Sequence, residues 1–454
     1  MKLSRFIKNP LITGTLLMTA AGILSRIIGF FYRIFLSRTI GAEALGIYQL
    51  IGPVFTICIA LTASSIQTAI SKFVGDMVGQ CSDSVCGEKR ARSYFKLGLL
   101  LSTVLAAVTS LFVHHNAEWI SVRFLGEARC APLLVLLSYA LLPCCIHACI
   151  NGYYYGKKRA GIPSFCQLVE QIVRVGSVWI FYQVLMEKDL PLTAEHAVLG
   201  LVLSEFAGLI VGTAALSLEK KLPKNACKNP SPEYRYMMHM FLAMVIPLTL
   251  NRVLIAASSS IENLLIPQKL QVFGYSAADS LSIYGILTGM TMSVILFPGV
   301  LTNSFSVLLL PAISEAHGQN NERGITNAIK KAILYGLLLG FLFTVIFLFS
   351  GNWIGNHLFH NALSGAFIRR LSWLCPLMYV TSLLGSIIHG LGNARQMLYI
   401  NLLACLIRIG MVWFFVPVCG IGAYLWGMLL SYVFTTIACM FSLRSYFYSS
   451  DNKN

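Results

Sequence analysis

Two arginines interrupt the first long apolar stretch of the chain, which reads GILSRIIGFFYRIFL over residues 22–36. Arg26 and Arg33 are seven residues apart, so on a helix they share one face and lie about 10 Å from each other along the axis. The guanidinium group is permanently charged, and its planar fork of donors matches the oxygens of phosphate. These two residues therefore predict an anion-binding face on the first helix.

Six further charged residues lie within apolar stretches. Each would cost about 2.5–3.5 kcal/mol if it faced lipid at mid-depth, which favours positions inside a bundle or a water-filled cavity. Glu170 and Arg174 have the i,i+4 spacing of an intrahelical ion pair. The other four residues are Glu205, Arg252, Glu262 and Arg408.

The two remaining acidic residues have two interpretations. Glu205 and Glu262 either bind a coupling sodium ion or proton, or neutralise arginines as counter-ions. Arg408 needs a partner or a cavity of its own, because Ala404 stands where an i,i+4 carboxylate would be. The pattern alone leaves both interpretations open.

The composition places the chain in a membrane. It has 454 residues, of which 56% are hydrophobic and only 11% charged, and its mean hydropathy is +0.72. A bilayer core about 30 Å thick needs roughly 20 apolar residues of helix per crossing, whereas closed β-barrels show short alternating segments. We predict an all-α, multi-pass membrane protein with twelve spans, at residues 11–37, 45–73, 96–114, 131–155, 163–185, 195–217, 236–262, 281–311, 331–350, 371–391, 397–418 and 421–443.

The basic residues predict the orientation of these spans. With the N-terminus inside, 22 of the 34 Lys and Arg residues fall in inner segments and seven in outer ones, as the positive-inside rule requires. Both termini are therefore expected in the cytoplasm. The net charge of +16 then reflects topology and attraction to anionic membrane lipids, and it gives no reason to expect a nucleic-acid partner.

The thirteen cysteines and nine histidines predict no metal site. Cys144, Cys145 and Cys149 fall within one span, and no CxxC pair occurs in the chain. Cysteine in an apolar helix usually behaves as a small hydrophobic residue. The histidines, among them His147 and His389, are expected to be hydrogen-bonded or solvated, and no resident cofactor is expected.

The chain resembles itself at a constant offset of 234 residues. Residues 152–181 align with residues 386–415, which places Arg174 on Arg408. Similar matches place Ser25-Arg26 on Asn251-Arg252. We predict two six-helix lobes, 1–222 and 236–447, joined by a cytoplasmic linker at 223–235 and followed by a polar tail at 448–454.

Each predicted lobe has an even number of spans, so both lobes enter the membrane from the same side. A pseudo-twofold axis along the membrane normal then relates them. Secondary transporters use this design and bind substrate between the lobes. Arg26, Arg33, Arg252 and Asn251 are then expected in one central cavity. Pro298 in the long eighth span is the predicted hinge, because proline frees a carbonyl and bends a helix.

Three segments carry a family resemblance. SRIIGFFYRIFLSRTIGAEALGIYQL (25–50), GYSAADSLSIYGILTGM (274–290) and LFPGVLTNSFSVLLLPAISEA (296–316) resemble the stage V sporulation protein B group. This group comprises polysaccharide-type transporters of the multidrug/oligosaccharidyl-lipid/polysaccharide (MOP) exporter superfamily, which includes the MATE transporters. The resemblance implies a MATE-like fold and an alternating-access flippase for an undecaprenyl-pyrophosphate-linked saccharide, a lipid II-type peptidoglycan precursor for the spore cortex.

The resemblance also implies a cellular setting and a set of residues. The expected location is the bacterial cytoplasmic membrane, including the membrane around the forespore, with cell-wall synthesis enzymes as possible partners. The related lipid II flippases carry a Ser-Arg-x-x-Gly-Phe element, which corresponds here to Ser25, Arg26, Gly29 and Phe30, with Arg33 one residue displaced. Those flippases have an arginine in the eighth span where this chain has Ser293, and two helices beyond the twelfth, where this sequence ends.

Two other functions remain open at this point. A MATE-type drug/cation antiporter would use acidic residues such as Glu262 in its cavity. A membrane-embedded polyprenyl-lipid transferase would need acidic or histidine groups on a sizeable polar loop, and the predicted outer loops are short. The favoured interpretation is a flippase and not an enzyme.

Overall fold

The protein is described by a computed structural model. It covers residues 10–80, 84–219, 234–302 and 322–451, together with residues 305, 306, 309, 313 and 319. Side chains are described from Ala20 onward within these ranges, apart from a few positions at their ends and Ala394. All regular secondary structure in these ranges is helical, as the continuous apolar runs predict.

Eleven of the described helices are long and apolar enough to cross a membrane, and one bent pair makes a twelfth span. The prediction of twelve spans is confirmed, with the tenth span built from two helices that meet at 55°. The helices are α1 (Pro10–Thr39), α2 (Gly41–Val78), α3 (Ser84–His115), α4 (Ala131–Gly156), α5 (Gly161–Met186), α6 (Ala194–Ser217), α7 (Tyr234–Phe273), α8 (Ala277–Leu296), α9 (Glu322–Leu358), the α10 pair (Ala362–Leu371 and Leu374–Gly390), α11 (Arg395–Cys419) and α12 (Ile421–Asp451).

Regular helix in α8 stops at the position of the predicted hinge. The chain turns at Phe297-Pro298 before helical structure resumes at Gly299. Pro298 cannot donate a backbone hydrogen bond, and the turn is closed by tighter bonds from the amides of Val300 to Phe297 and of Leu301 to Pro298. The break is therefore present, and its use as a hinge stays a prediction.

The chain divides into two compact units. Unit 1 contains Met1–Tyr32 and Leu50–Ser260, and unit 2 contains Arg33–Gln49 and Ile261–Asn454. Helices α1, α2 and α7 therefore contribute residues to both units. The lobe boundaries at 222 and 236 stay a prediction, and the linker at 223–235 lies outside the described residues except for its last two positions.

Each unit has its own apolar core. In unit 1, Ile66 and Ile70 of α2 pack with Tyr153 and Tyr154 of α4 and with Phe241 of α7. In unit 2, the core is centred on the second α10 helix and contains the fully buried side chains Leu383, Leu384, Ile387 and Ile388.

The same interhelical hydrogen bond occurs in both units at the predicted repeat offset. In unit 1, Ser110 Oγ of α3 donates to the Ser138 carbonyl of α4 over 2.7 Å. In unit 2, Thr344 Oγ1 of α9 donates to the Ser372 carbonyl, at the bend of α10, over 2.9 Å. Both partners in unit 2 lie 234 residues after their counterparts. A hydroxyl that reaches a neighbouring carbonyl ties two helices together where no water competes, and the recurrence supports the internal repeat.

Glycine permits a close backbone contact within unit 2. A Cβ added at Gly285 of α8 would overlap the carbonyl oxygen of Ala42 and lie 2.9 Å from the Cα of Gly46, both in α2. Small residues let helices approach closely in a membrane, where van der Waals packing and not the hydrophobic effect drives the association of helices. By contrast, a Cβ added at Gly176 of α5 would meet nothing within 4 Å.

We expect Gly285→Ala to lower the stability of the protein by about 1–3 kcal/mol, because the added methyl group forces α2 and α8 apart. The matched control is Gly176→Ala, which should leave stability unchanged or raise it slightly, since alanine favours helix. The measurement is the apparent melting temperature in detergent. Equal melting temperatures for the two variants would contradict the close contact.

Candidate functional site

Arg26 lies in α1, within the membrane-spanning part of unit 1, and its side chain is exposed on the protein surface or in a cavity. The preceding Ser25 is buried, and its hydroxyl has no hydrogen-bond partner within the described part of the chain. The cation of Arg26 is thus accessible, whereas the hydroxyl of Ser25 faces the protein interior.

Arg252 occupies the corresponding position in α7 and is also in unit 1. Its guanidinium Nη2 donates to Thr68 Oγ1 of α2 over 2.8 Å, and no carboxylate pairs with it among the described residues. The neighbouring Asn251 has a buried Oδ1 atom without a hydrogen-bond partner in the same ranges. Arg252 thus carries a charge at membrane depth that its neighbours leave uncompensated.

Arg33 is assigned to unit 2, unlike Arg26 and Arg252. Its side chain is half-buried, and the described residues provide no ion pair for it. The structure therefore brings Arg26, Arg252 and Asn251 into one unit, and the common cavity for all three arginines stays a prediction.

Arg408 and Glu262 form a buried ion pair in unit 2. Arg408 Nε donates to Glu262 Oε1 over 2.8 Å, and its Nη1 donates to Ser431 Oγ over 2.7 Å. The hydroxyl of Tyr424 donates to the same Glu262 oxygen over 2.8 Å. Arg408 therefore has the partner that its own helix lacks, and Glu262 acts as its counter-ion.

Arg174 forms a similar arrangement in unit 1, where its Nε and Nη2 both donate to Ser204 Oγ of α6. Its Nη2 also lies 3.5 Å from Glu205 Oε1. The expected intrahelical pair of Glu170 with Arg174 is not formed among the described residues. Glu170 Oε1 lies 2.8 Å from His147 Nδ1 instead, because the facing helices α4 and α6 supply closer partners than the next turn of α5.

The two arginine clusters share one design. In each unit an arginine on the fifth helix of the repeat, α5 or α11, donates to a serine on the sixth, α6 or α12. The carboxylate differs in origin, since Glu205 belongs to α6 and Glu262 to α7. A nearby carboxylate and a hydroxyl acceptor offset part of the desolvation cost of a guanidinium inside a helix bundle.

One group of residues comes together only in the folded protein. Cys144 and His147 of α4 and Glu205 of α6 each place a metal-ligating atom within 4.8 Å of the other two. His147 was expected to be hydrogen-bonded or solvated, and it lies 2.8 Å from Glu170 Oε1 and 3.2 Å from Glu205 Oε2. Its grouping with Cys144 and Glu205 was not expected. The i,i+3 spacing of Cys144 and His147 puts both on one helix face, but Glu205 comes from a distant span, which only the fold brings close.

A charged cluster in unit 1 lies near the start of α3 and just after the ends of α4 and α6. Lys157 Nζ donates to Glu88 Oε1 over 2.9 Å and to Glu219 Oε1 over 3.0 Å. Burial opposes the charge of Lys157, but the hydrogen bonds to Glu88 and Glu219 outweigh it and raise the pKa of the ammonium group. Its stabilising contribution is therefore present at neutral pH and is lost only as the pH rises through that raised pKa.

Comparison with known families decides the class of the protein. The family model described as "Polysaccharide biosynthesis protein" matches residues 11–317. The chain belongs to this family. A second model, MatE, matches residues 270–414, so both halves of the chain match families of membrane transporters of the MOP superfamily.

Two curated relatives come from Bacillus subtilis (strain 168). Stage V sporulation protein B is 25% identical over 412 residues, which cover 89% of this chain and 77% of the relative. The lipid II flippase MurJ is 22% identical over 341 residues, which cover 72% of this chain and 61% of the flippase.

Solved structures confirm the fold. An inward-facing multidrug resistance MATE family transporter of the MOP superfamily matches with a TM-score of 0.71 at 14% identity, covering 94% of this chain and 96% of the transporter. A MOP superfamily transporter from Pyrococcus furiosus, whose binding pocket is described as having reverse polarity, matches with a TM-score of 0.66 at 14% identity over 98% of this chain and 96% of its own. With the family match and the two relatives, the protein is a multi-pass membrane transporter or flippase of the MOP type.

We expect Glu262→Gln to destabilise this family member by about 3–5 kcal/mol, because it leaves Arg408 buried without a counter-charge. Replacing both residues, as Glu262→Gln with Arg408→Gln, should recover most of that loss. The measurement is the midpoint of unfolding in detergent for the wild type, both single variants and the double variant.

The control for this experiment is the Glu127–Arg129 ion pair between α3 and α4. Its two side chains are 13% and 50% exposed, so Glu127→Gln should cost less than about 1 kcal/mol. If Glu262→Gln were as mild as Glu127→Gln, the buried pair would not stabilise unit 2.

Proposed function

We propose that the protein is an alternating-access flippase for an undecaprenyl-pyrophosphate-linked saccharide of the lipid II type, which it moves across the cytoplasmic membrane for synthesis of the spore cortex. The observation that carries the proposal is the environment of Arg252. Its guanidinium is at membrane depth, and its described partner is the neutral hydroxyl of Thr68. A charge that no carboxylate neutralises favours an anionic ligand.

The chemistry of unit 1 suits a pyrophosphate that carries a sugar. Arg252 and Arg26 supply forked N–H donors, which bind phosphate oxygens in pairs. Ser25 and Asn251 precede them in the chain, and the buried oxygens of both accept no hydrogen bond in the described ranges. In this proposal the prenyl chain of the substrate stays in the lipid.

The similarity to known proteins supports the same substrate class. Stage V sporulation protein B and the lipid II flippase MurJ are both relatives of this chain. A sporulation protein and a flippase of lipid II together favour a lipid-linked cell-wall precursor as the cargo and cell-wall synthesis enzymes as partners. We propose that a sodium or proton gradient, or the membrane potential, drives the cycle, with both termini in the cytoplasm and Pro298 as a hinge.

A drug/cation antiporter is the second candidate, because the MatE model matches residues 270–414. The acidic residues that would hold a cationic drug are engaged, however. Glu262 pairs with Arg408, and Glu205 lies against Arg174 and His147. The arginines of α1 and α7 would also repel a cation, so the flippase is the better proposal.

We expect the reconstituted protein to translocate fluorescent lipid II, measured as loss of label accessibility to a membrane-impermeant quencher on one side of the vesicle. Arg26→Ala and Arg252→Ala should each slow translocation about tenfold or more, since a charge-assisted hydrogen bond contributes about 1.5–3 kcal/mol. Arg123→Ala is the matched control, because this exposed arginine lies in the short helix Ile120–Leu125 between α3 and α4, and it should keep the wild-type rate.

Ethidium export is the parallel measurement for the second candidate. Export of ethidium in exchange for sodium ions or protons, without movement of lipid II, would show that the protein is an antiporter and not a flippase. Full lipid II transport by the folded double variant Arg26→Ala/Arg252→Ala would show that neither arginine is part of the substrate site.

A further inference from the structure

Helices α4, α5 and α6 of unit 1 form a three-helix cluster of side chains that the proposed flippase mechanism does not use, and α5 contributes Glu170. Cys144 and His147 lie on one face of α4, and Glu205 lies on α6. One ligand atom of each lies within 4.8 Å of the other two, and all three residues are buried. We propose that these residues form a binding site for Zn²⁺ inside the membrane-spanning part of unit 1.

The spacing of the ligand atoms suits zinc. His147 Nε2 lies 3.2 Å from Glu205 Oε2. In a tetrahedral site with bonds of about 2.0–2.3 Å, neighbouring ligand atoms are roughly 3.3–3.8 Å apart. The histidine and the carboxylate are thus already close to the required separation, and the thiol of Cys144 needs only a small shift to complete three ligands. Water or another small ligand fills the fourth position.

The orientation of His147 is fixed by a second carboxylate. Glu170 Oε1 of α5 lies 2.8 Å from His147 Nδ1, on the opposite side of the ring from Glu205. Metal-bound histidines usually have such a carboxylate at the other nitrogen, which sets the tautomer and leaves the remaining lone pair for the metal. The three-helix cluster therefore contains both the ligands and a group that orients one of them.

Gly208 makes room for this pair of side chains. A Cβ at this position of α6 would overlap Glu170 Oε1 and lie 2.9 Å from His147 Nδ1. Glu205 Oε2 is buried and lies 3.2 Å from His147 Nε2, although the geometry between the two atoms is not that of a hydrogen bond. A metal ion beside this oxygen and the imidazole nitrogen would be bound by both.

The charges of the cluster balance with a divalent cation in place, as they also do without one when His147 is protonated between Glu170 and Glu205. With the metal bound, the Cys144 thiolate, Glu205 and Glu170 contribute three negative charges. Zn²⁺ and Arg174, whose Nη2 lies 3.5 Å from Glu205 Oε1, contribute three positive ones. A neutral sum suits an apolar surrounding, where an isolated charge is costly. The thiol proton passes to water when the metal binds.

The thiolate and imidazole ligands select the metal. Soft sulfur and imidazole nitrogen favour Zn²⁺ and related transition metals over Na⁺, Mg²⁺ and Ca²⁺, which prefer sets of oxygen ligands. Such an ion links α4 directly to α6 and, through Glu170, to α5. The inference does not depend on which lipid the protein transports.

The test uses the full chain, purified in detergent with a tag that contains no histidine and stripped of metal with a chelator. Titration with Co²⁺, which replaces zinc and is coloured, should give about one ion per chain and a thiolate-to-cobalt charge-transfer band in the near ultraviolet. Zn²⁺ should displace the cobalt and abolish the band, and Mg²⁺ should not.

Variants locate the ion. Cys144→Ser should abolish the band, and His147→Gln and Glu205→Gln should each weaken metal binding at least tenfold. The matched control is Cys145→Ser, the neighbouring residue, whose thiol contacts Thr62 instead. It should leave both band and stoichiometry unchanged.

Absence of the band from folded wild-type protein would overturn the proposal, whether or not the variants fold. An undiminished band in Cys144→Ser would also overturn it, because the thiolate would then come from another cysteine. A raised melting temperature on adding Zn²⁺ to the wild type and to Cys145→Ser, but not to folded Cys144→Ser, would support it by a second route.

Discussion

A permanent charge inside a membrane-spanning helix must either be neutralised by the protein or be used for a ligand, because lipid offers nothing to solvate it. Two of the arginines in this chain meet the first requirement. Arg174 and Arg408 each donate to a serine on the following helix and lie near a carboxylate. Arg252 meets a neutral hydroxyl instead, and this difference separates the structural arginines from the proposed substrate site.

The helical spans were predictable from the sequence because each depends on a local property, a continuous apolar run long enough to cross the bilayer. The bend in the tenth span was not predictable from the sequence, because Ser372 and Trp373 interrupt the helix without interrupting the apolar run. The internal repeat was visible in the sequence as weak identities. The hydrogen bonds donated by Ser110 and Thr344 occupy equivalent positions in the two halves, at the same offset of 234 residues.

The partners of the charged side chains were mostly beyond the reach of the sequence. Spacing along one helix suggested that Glu170 pairs with Arg174, yet His147 is its partner across the bundle. Glu262 and Arg408 are separated by 146 residues, and no local pattern joins them. The positions of these residues inside apolar runs showed that they need partners, and only the packing of α4 to α6 and of α7, α11 and α12 shows which partners they have.

The central claim is that Arg252 recognises the pyrophosphate of a lipid-linked saccharide, and a binding comparison tests it most directly. The measurement is the affinity of detergent-purified protein for an undecaprenyl-pyrophosphate sugar and for the matching monophosphate sugar, in the wild type and in Arg252→Ala. The account predicts that the wild type prefers the pyrophosphate lipid and that the variant loses most of this preference, by about tenfold or more. An unchanged preference in folded Arg252→Ala, or none in the wild type, would contradict it.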